Sequence, residues 1–324
     1  MIISRTPFRM SFVGGGTDLP AFYLQEPGAV ISTAIDKYVY ITVNKRFDNT
    51  LRVSYSQTEI ADQIGAIRHP LFRETMRKTG VDSGIEVTSI ADVPGGTGLG
   101  SSSSFTVGLL HALYAYSGKF QCAAELADAA CYLEIEVLRE PIGKQDQYAA
   151  AFGGFRRYQF NPDGTVFVDP VICPPETLTR LHERLMLFYL GGTRSASKVL
   201  QEQSDNTNGK RDYLRNLRGL VDRFWEVLVR GADLRETGAL LDQGWQWKKQ
   251  LASNVSTDAI DEIYCRARKA GALGGKVLGA GAGGFLLLFC EPHRQPAVRA
   301  ALHELRLFPF RFEPEGSKII YVGS

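Results

Sequence analysis

The chain has 324 residues, 44% of them hydrophobic, which supplies packed cores and, at roughly 150 residues per domain, room for about two domains. Its 37 basic and 35 acidic residues leave a net charge of +2, and that near balance sets aside polyanion binding as a first reading. Five cysteines (Cys122, Cys131, Cys173, Cys265 and Cys290) are odd in number, widely spaced and without a CxxC, which argues against a disulfide scaffold or zinc site and for reduced thiols.

Met1 to Arg9 carries Arg5 and Arg9 and runs into glycine-rich chain rather than the apolar stretch of a signal peptide. The longest apolar run, 285–290, is far below the ~20 residues of a membrane span. These features predict a cytoplasmic protein with neither nucleic acid nor membrane as partner. Strands are predicted at 30–35 and 38–43, both β-branched and aromatic, with Asp36-Lys37 between them as a hairpin turn. Further strands follow at 51–55 and 85–90. A buried helix is predicted over 105–114, and a second over 122–138 with Leu126, Ala130, Leu133 and Val137 on one stripe.

Prolines at 170, 174 and 175 mark a crossing between domains, dividing the chain into 1–172 and 173–324. Beyond it come a strand at 185–190 and amphipathic helices at 213–229, 234–250 and 258–270. The first of these sets Leu217, Leu220, Val221, Phe224 and Leu228 on one face. The end reads as strand 276–278, glycine turn, strand 285–290, helix 296–305 and strand 319–322. This is an α+β pattern without regular βαβ alternation.

Glycine marks three places where backbone must turn tightly or approach a ligand: Gly14-Gly15-Gly16, 95–100 and 279–284. The strongest signal is Pro94-Gly95-Gly96-Thr97-Gly98-Leu99-Gly100-Ser101-Ser102-Ser103-Ser104, between a strand and an apolar helix. A helix start offers free N–H groups and a positive dipole end, which suit phosphate, and serines cap the helix or reach a metal ion. The segment lacks the GK[ST] ending of a Walker A loop. Gly279-x-Gly281-x-x-Gly284 matches the dinucleotide fingerprint formally, but a strand follows where that motif opens a helix, so a Rossmann site is disfavoured. A ligand-side hairpin and a purely structural turn both stay open there.

Among the carboxylates, Asp18 follows bare glycine backbone suited to polyol hydroxyls. Asp146 lies two residues after Lys144 and has the makings of a general base held ionised by a nearby cation. Glu134 and Glu136, two apart on one helix, point to different faces, so at most one enters a site. The five histidines form no HExxH or close pair.

Three motifs in order resemble the GHMP kinase superfamily. The segment from Thr6 to Asp18 resembles the galactokinase motif APGRVNLIGEHTD, Pro94 to Ser104 resembles the PxxxGLGSS phosphate loop, and Val277 to Gly284 resembles the C-terminal glycine motif. The resemblance implies a ribosomal-S5-like N-terminal domain, a ferredoxin-like C-terminal domain and an active site between them. It implies ATP and Mg²⁺ as cofactors. The nucleotide would be bound by Pro94, Gly95, Gly96, Thr97, Gly98, Leu99, Gly100, Ser101, Ser102 and Ser103, and the metal by Ser102 and Glu134. Asp146 would be the catalytic base, with Arg9 and Lys144 offsetting charge on the transferred group.

The same resemblance implies a substrate side made of Gly15, Gly16, Thr17, Asp18, Gly281 and Gly283. Gly15-Gly16 stand where galactokinases carry Glu-His, which points away from galactose. The segments 14–23, 140–148 and 191–194 resemble the D-glycero-D-manno-heptose 7-phosphate kinase branch, which makes heptose 1,7-bisphosphate on the way to GDP-heptose and surface glycans. Thr193 and Arg194 would then cradle the distal phosphate, with Lys198 and Lys318 as weaker candidates. Partners would be ATP and a sugar phosphate, with a homo-oligomer left open.

Overall fold

The computed structural model describes residues 1–191, 196–231 and 233–323. Strands β1 (Ile2–Val13), β2 (Gly28–Lys45), β3 (Leu51–Ser54), β4 (Thr58–Ala61), β5 (Ile85–Ala91), β6 (Phe155–Phe160) and β7 (Val166–Pro170) build the first sheet. β8 (Leu185–Gly191), β9 (Ala272–Val277), β10 (Gly284–Cys290) and β11 (Arg306–Leu307) form a second sheet of order β11-β8-β10-β9. The chain then returns to the first sheet, where β12 (Phe312–Glu313) pairs with β2 and β13 (Lys318–Val322) pairs with β1. The fold is α+β.

Residues 6–13 of β1 are all buried because both faces of the strand are covered. The helix Ser101–Tyr116 lies against β1 and β2, and Gly108 permits the approach: a Cβ there would come within 2.8 Å of Thr6 Oγ1. On the other side the helix Arg211–Arg230 sends Val221 and Phe224 inward, with the Phe224 ring 5.3 Å from that of Phe12. Fully burying each such side chain is worth about 1.5–3 kcal/mol, so this helix ties the second half of the chain to the first sheet. Trp245 and Tyr264 pack with Met186, Phe188 and Leu288 in a separate cluster beside the second sheet.

Two local expectations are corrected. Residues 28–45 form one continuous strand, not a hairpin, since both halves pair antiparallel with β1. Asp36 and Lys37 are extra residues where the register shifts between Pro7 and Phe8, and neither has the positive φ of a tight primed turn. The helix expected over 122–138 is an α-helix only from Ala123 to Cys131 and widens to π-helical bonding over Tyr132–Val137. Leu138 N–H accordingly reaches the Leu133 carbonyl, five residues back. Among the described residues, no helix is long and apolar enough to cross a membrane.

Candidate active site

A cavity of about 290 Å³ opens where the N-terminal glycine turn, the phosphate-type loop, the π-helical turn and two helices of the second half converge. Its first wall is the loop before the helix Ser101–Tyr116. Gly100, at φ +74, caps this helix without a side-chain bond, so first-turn N–H groups remain available at the wall formed by Ser101, Ser102 and Ser103. Gly96, Gly98 and Gly100 line the cavity with them. The rest of the loop holds it in shape: Leu99 is core, the buried Thr97 bonds the Pro94 carbonyl at 3.0 Å, and Pro94 and Gly95 face outward.

Arg9 joins this loop to Asp146. Its Nε and Nη2 donate to the two Asp146 oxygens at 2.7 Å each, and its Nη1 donates to the Gly98 carbonyl at 2.6 Å. Asp146 sits in the first turn of the helix Gln145–Phe152, where the dipole favours a carboxylate. Its Oδ1 also takes Gln145 Nε2 at 2.9 Å, whereas no further donor is seen at Oδ2 among the described residues. A free lone pair on a rigid carboxylate at the cavity wall is suited to accept a hydroxyl proton.

Asp18 is buried beside them. Its Oδ1 accepts the Gly16 N–H at 2.9 Å, and its Oδ2 rests against Gly143, where a Cβ would come within 2.0 Å. Burial, then the Asp146 charge, raise its pKa. Glu134, on the π-helical turn, takes hydrogen bonds from Ser102 Oγ (3.1 Å), Ser103 Oγ (2.8 Å), Thr106 Oγ1 (3.1 Å) and Gln147 Nε2 (2.6 Å). Burial still pushes its pKa up to about 7. Glu136 is exposed and pairs with Arg139 instead.

Several expected roles change. Thr17 faces away from the cavity: its hydroxyl donates to Gly14 O at 2.8 Å and Ala29 O at 2.9 Å and accepts the Ala29 N–H, so it pins the turn. Lys144 gives its ammonium to Gly164 O at 2.8 Å, over the Tyr23 ring, and does not line the cavity. Gly281 and Gly283 also lie off the cavity wall, which takes Gly279 and Ala280 instead. The C-terminal glycine turn packs on the phosphate-type loop: a Cβ on Gly279 would meet Gly98 Cα at 2.5 Å, and one on Gly284 would meet Thr97 O at 2.2 Å. Lys198 is exposed and Lys318 pairs with Glu315. Thr193 and Arg194 lie outside the described residues.

The sequence reading missed Lys248, Gln145, Gln203 and Gly143, all of them at the cavity. Lys248 had a signal, since it follows the buried Trp245 by one helical turn and so falls on the apolar face. Its Nζ donates to the Gly279 carbonyl, and burial, then Arg9, lower its pKa to about 8. Lys276 is buried nearby and donates to Phe12 O at 2.9 Å. A larger cavity of about 580 Å³ shares no lining residue with this one. Three of its polar groups are already engaged, with Arg156 on Gly153 O, His182 on Phe310 O and Tyr38 donating to Glu313.

The GHMP kinases N terminal domain family matches residues 65–154, and the GHMP kinases C terminal family matches residues 226–305. The chain is 30% identical to D-glycero-alpha-D-manno-heptose 7-phosphate kinase of Campylobacter jejuni, over 98% of both chains. It is 24% identical to galactokinase of Pyrococcus furiosus, over 93% of this chain and 92% of that one. In fold it is similar to the crystal structure of a D-glycero-D-manno-heptose 1-phosphate kinase from Bacteroides thetaiotaomicron, with TM-score 0.84, 24% identity and full coverage of both chains. With both family regions matched and a full-length relative at this identity, the chain belongs to the GHMP kinase family, as a sugar kinase.

Proposed function

We propose that the chain transfers the γ-phosphoryl group of ATP to O1 of D-glycero-D-manno-heptose 7-phosphate, giving heptose 1,7-bisphosphate for GDP-heptose synthesis. The observation that carries this reading is the Asp146 carboxylate, clamped by Arg9 within the wall that also holds the free helix N-terminus at Ser101–Ser103. The full-length similarity to the Campylobacter jejuni heptose 7-phosphate kinase supports the choice of acceptor.

Phosphoryl transfer asks chiefly for positioning and charge stabilisation. The backbone from Gly96 to Ser103 receives the triphosphate, and the helix dipole offsets its charge. Asp18 and the Gly15-Gly16 backbone hold sugar hydroxyls so that the reacting one faces Asp146 Oδ2, which accepts its proton. Lys248 and Arg9 offset charge on the group in transit. Lys144 has no part in this.

Ser102 and Glu134 fit a magnesium ion. A hydroxyl and a carboxylate stand 3.1 Å apart at the phosphate end of the cavity, an oxygen donor set of the kind that binds Mg²⁺ together with substrate phosphates. Such an ion would supply neutralisation of the phosphate oxygens. Thr106 Oγ1 also lies 3.1 Å from the Ser102 carbonyl, an acceptor to which its hydrogen can turn.

Phosphorus NMR of the product tests the position of transfer. A new phosphate coupled to the anomeric proton is expected, and a new phosphate on any other carbon contradicts the reading.

A further inference from the structure

Between Glu134 and Asp146 the chain runs along one wall of the cavity and brings a third carboxylate to it, that of Glu140. The backbone of Glu140 is held on both sides: its N–H donates to Glu134 O at 2.9 Å, and its carbonyl accepts the Ile142 N–H at 2.9 Å. The residue before it, Arg139, stands at φ +57, one of two non-glycine residues at positive φ among the described residues. Such backbone is costly for an arginine and clusters at ligand sites. Here it turns the chain out of the π-helical stretch so that Glu140 comes to the cavity and Arg139 does not.

The Glu140 side chain is half committed. Its Oε2 accepts from Ser197 Oγ at 3.0 Å, whereas among the described residues no donor is seen at Oε1 and no cation pairs with the carboxylate. Glu140 is exposed, so the open oxygen is within reach of a ligand. Ser197 belongs to the helix Ala196–Asn206, which lines the cavity with Ser197, Leu200 and Gln203 at three-residue spacing on one face. At the other end of that face Gln203 lies beside Gly16, whose Cβ, if present, would stand 3.9 Å from Gln203 Oε1. At a rise of about 1.5 Å per residue the two ends are about 9 Å apart. The Gly16 end is the reacting end, since Gly16 N–H holds Asp18, and Asp18 Oδ2 takes the N–H of Gln145 beside Asp146 at 3.4 Å. Glu140 therefore stands at the remote end of the acceptor space.

We propose that Glu140 is an acceptor-specificity residue, its Oε1 accepting a hydrogen bond from a sugar hydroxyl remote from the one phosphorylated. This deepens the sugar-kinase reading above and rests on it. A carboxylate offers acceptors only, and Ser197, by taking Oε2, fixes which oxygen is left for the hydroxyl.

The test pairs Glu140→Gln with Ser197→Ala. The glutamine keeps the shape and still accepts from Ser197 through its amide oxygen, but turns an NH₂ group towards the sugar. Both residues lie at the cavity mouth, so both variants should melt within about 2 °C of wild type. Glu140→Gln should raise KM for the sugar acceptor about tenfold or more, with KM for ATP within twofold. Ser197→Ala breaks the contact between the halves yet leaves the carboxylate, and should keep acceptor KM within about threefold. Across monodeoxy acceptors, one lacking a hydroxyl remote from O1 should be penalised by wild type and no further by Glu140→Gln. An acceptor KM within twofold of wild type in Glu140→Gln overturns the assignment. So does a rise in Ser197→Ala that equals or exceeds it, which would make the carboxylate only a latch between the halves. Wild-type turnover separates the two levels, because a wild type inactive on every sugar tested overturns the sugar-kinase reading and this assignment with it.

Discussion

Arg9 and Asp146 meet through two parallel hydrogen bonds of 2.7 Å, with the arginine side chain 4% exposed and the carboxylate 26% exposed. The buried partner fixes the plane of the exposed one, and Nη1 carries the same guanidinium onto the Gly98 carbonyl. One side chain therefore sets the carboxylate and the phosphate-type loop in register. A fork of this kind is specific to arginine, since a lysine ammonium cannot reproduce both bonds.

Asp146→Asn should lower kcat by about 10²–10⁴ while ATP affinity stays within a few-fold. Arg9→Lys should keep the charge and still lose roughly 10–100-fold in kcat, because the fork is gone. Single-turnover kinetics with a nucleotide titration check both, and full turnover in the asparagine variant would remove Asp146 as the base.

Lys248 should give a pH signature. Its pKa in the folded chain is lowered to about 8 against an ordinary value of 10.5, so folding favours the neutral amine. The cost of burying the charge is fully present below about pH 8, and stability recovers between pH 8 and 10.5, where the unfolded chain binds the extra proton. Lys248→Met should therefore melt higher than wild type at pH 7, with the gap closing towards pH 10. Its kcat/KM should also lose an alkaline limb near pH 8 that wild type shows. Melting curves and rate profiles over pH 6–10 check both parts.

Gly279→Ala should destabilise the protein by about 2–4 kcal/mol and lower Tm by roughly 5–10 °C. The residue combines φ +68 with a Cβ position 2.5 Å from Gly98 Cα, and backbone cannot swing aside as a side chain would. Differential scanning calorimetry is the measurement.

Thr17→Val should cost about 1–3 kcal/mol, since it strands the Ala29 N–H and weakens the tie to Gly14 and Ala29 carbonyls. Well below its melting temperature the variant should keep kcat and acceptor KM within about threefold of wild type. Lys144→Met should do likewise. A large rise in acceptor KM for Thr17→Val would return that residue to the substrate side.

The glycine segments and Asp18, Glu134 and Asp146 were legible in the sequence because each needs an uncommon backbone or charge at a motif position. The helix Asp258–Ala270 was legible as well, bounded by Thr257, whose hydroxyl accepts the Ile260 N–H, and by Gly271 at positive φ. β1 was not, since a strand buried on both faces shows no alternation. Asp36-Lys37 carried a true disruption signal, but a bulge and a turn share the same polar dipeptide, and only pairing of both flanks with β1 separates them. Lys144 shows the limit of proximity along the chain: it sits at the helix start, where its side chain leaves Asp146 and reaches Gly164. Lys248 and Gln203 come from the far half of the chain, and no local pattern states which cavity they face.

The most direct measurement is ADP release with Mg·ATP, comparing D-glycero-D-manno-heptose 7-phosphate with the unphosphorylated heptose and with mannose, fucose and galactose. Strong turnover of the 7-phosphate alone is the predicted result. Preferential turnover of an unphosphorylated sugar would contradict the proposed acceptor, and nucleotide binding without turnover of any of them would contradict catalysis by Asp146.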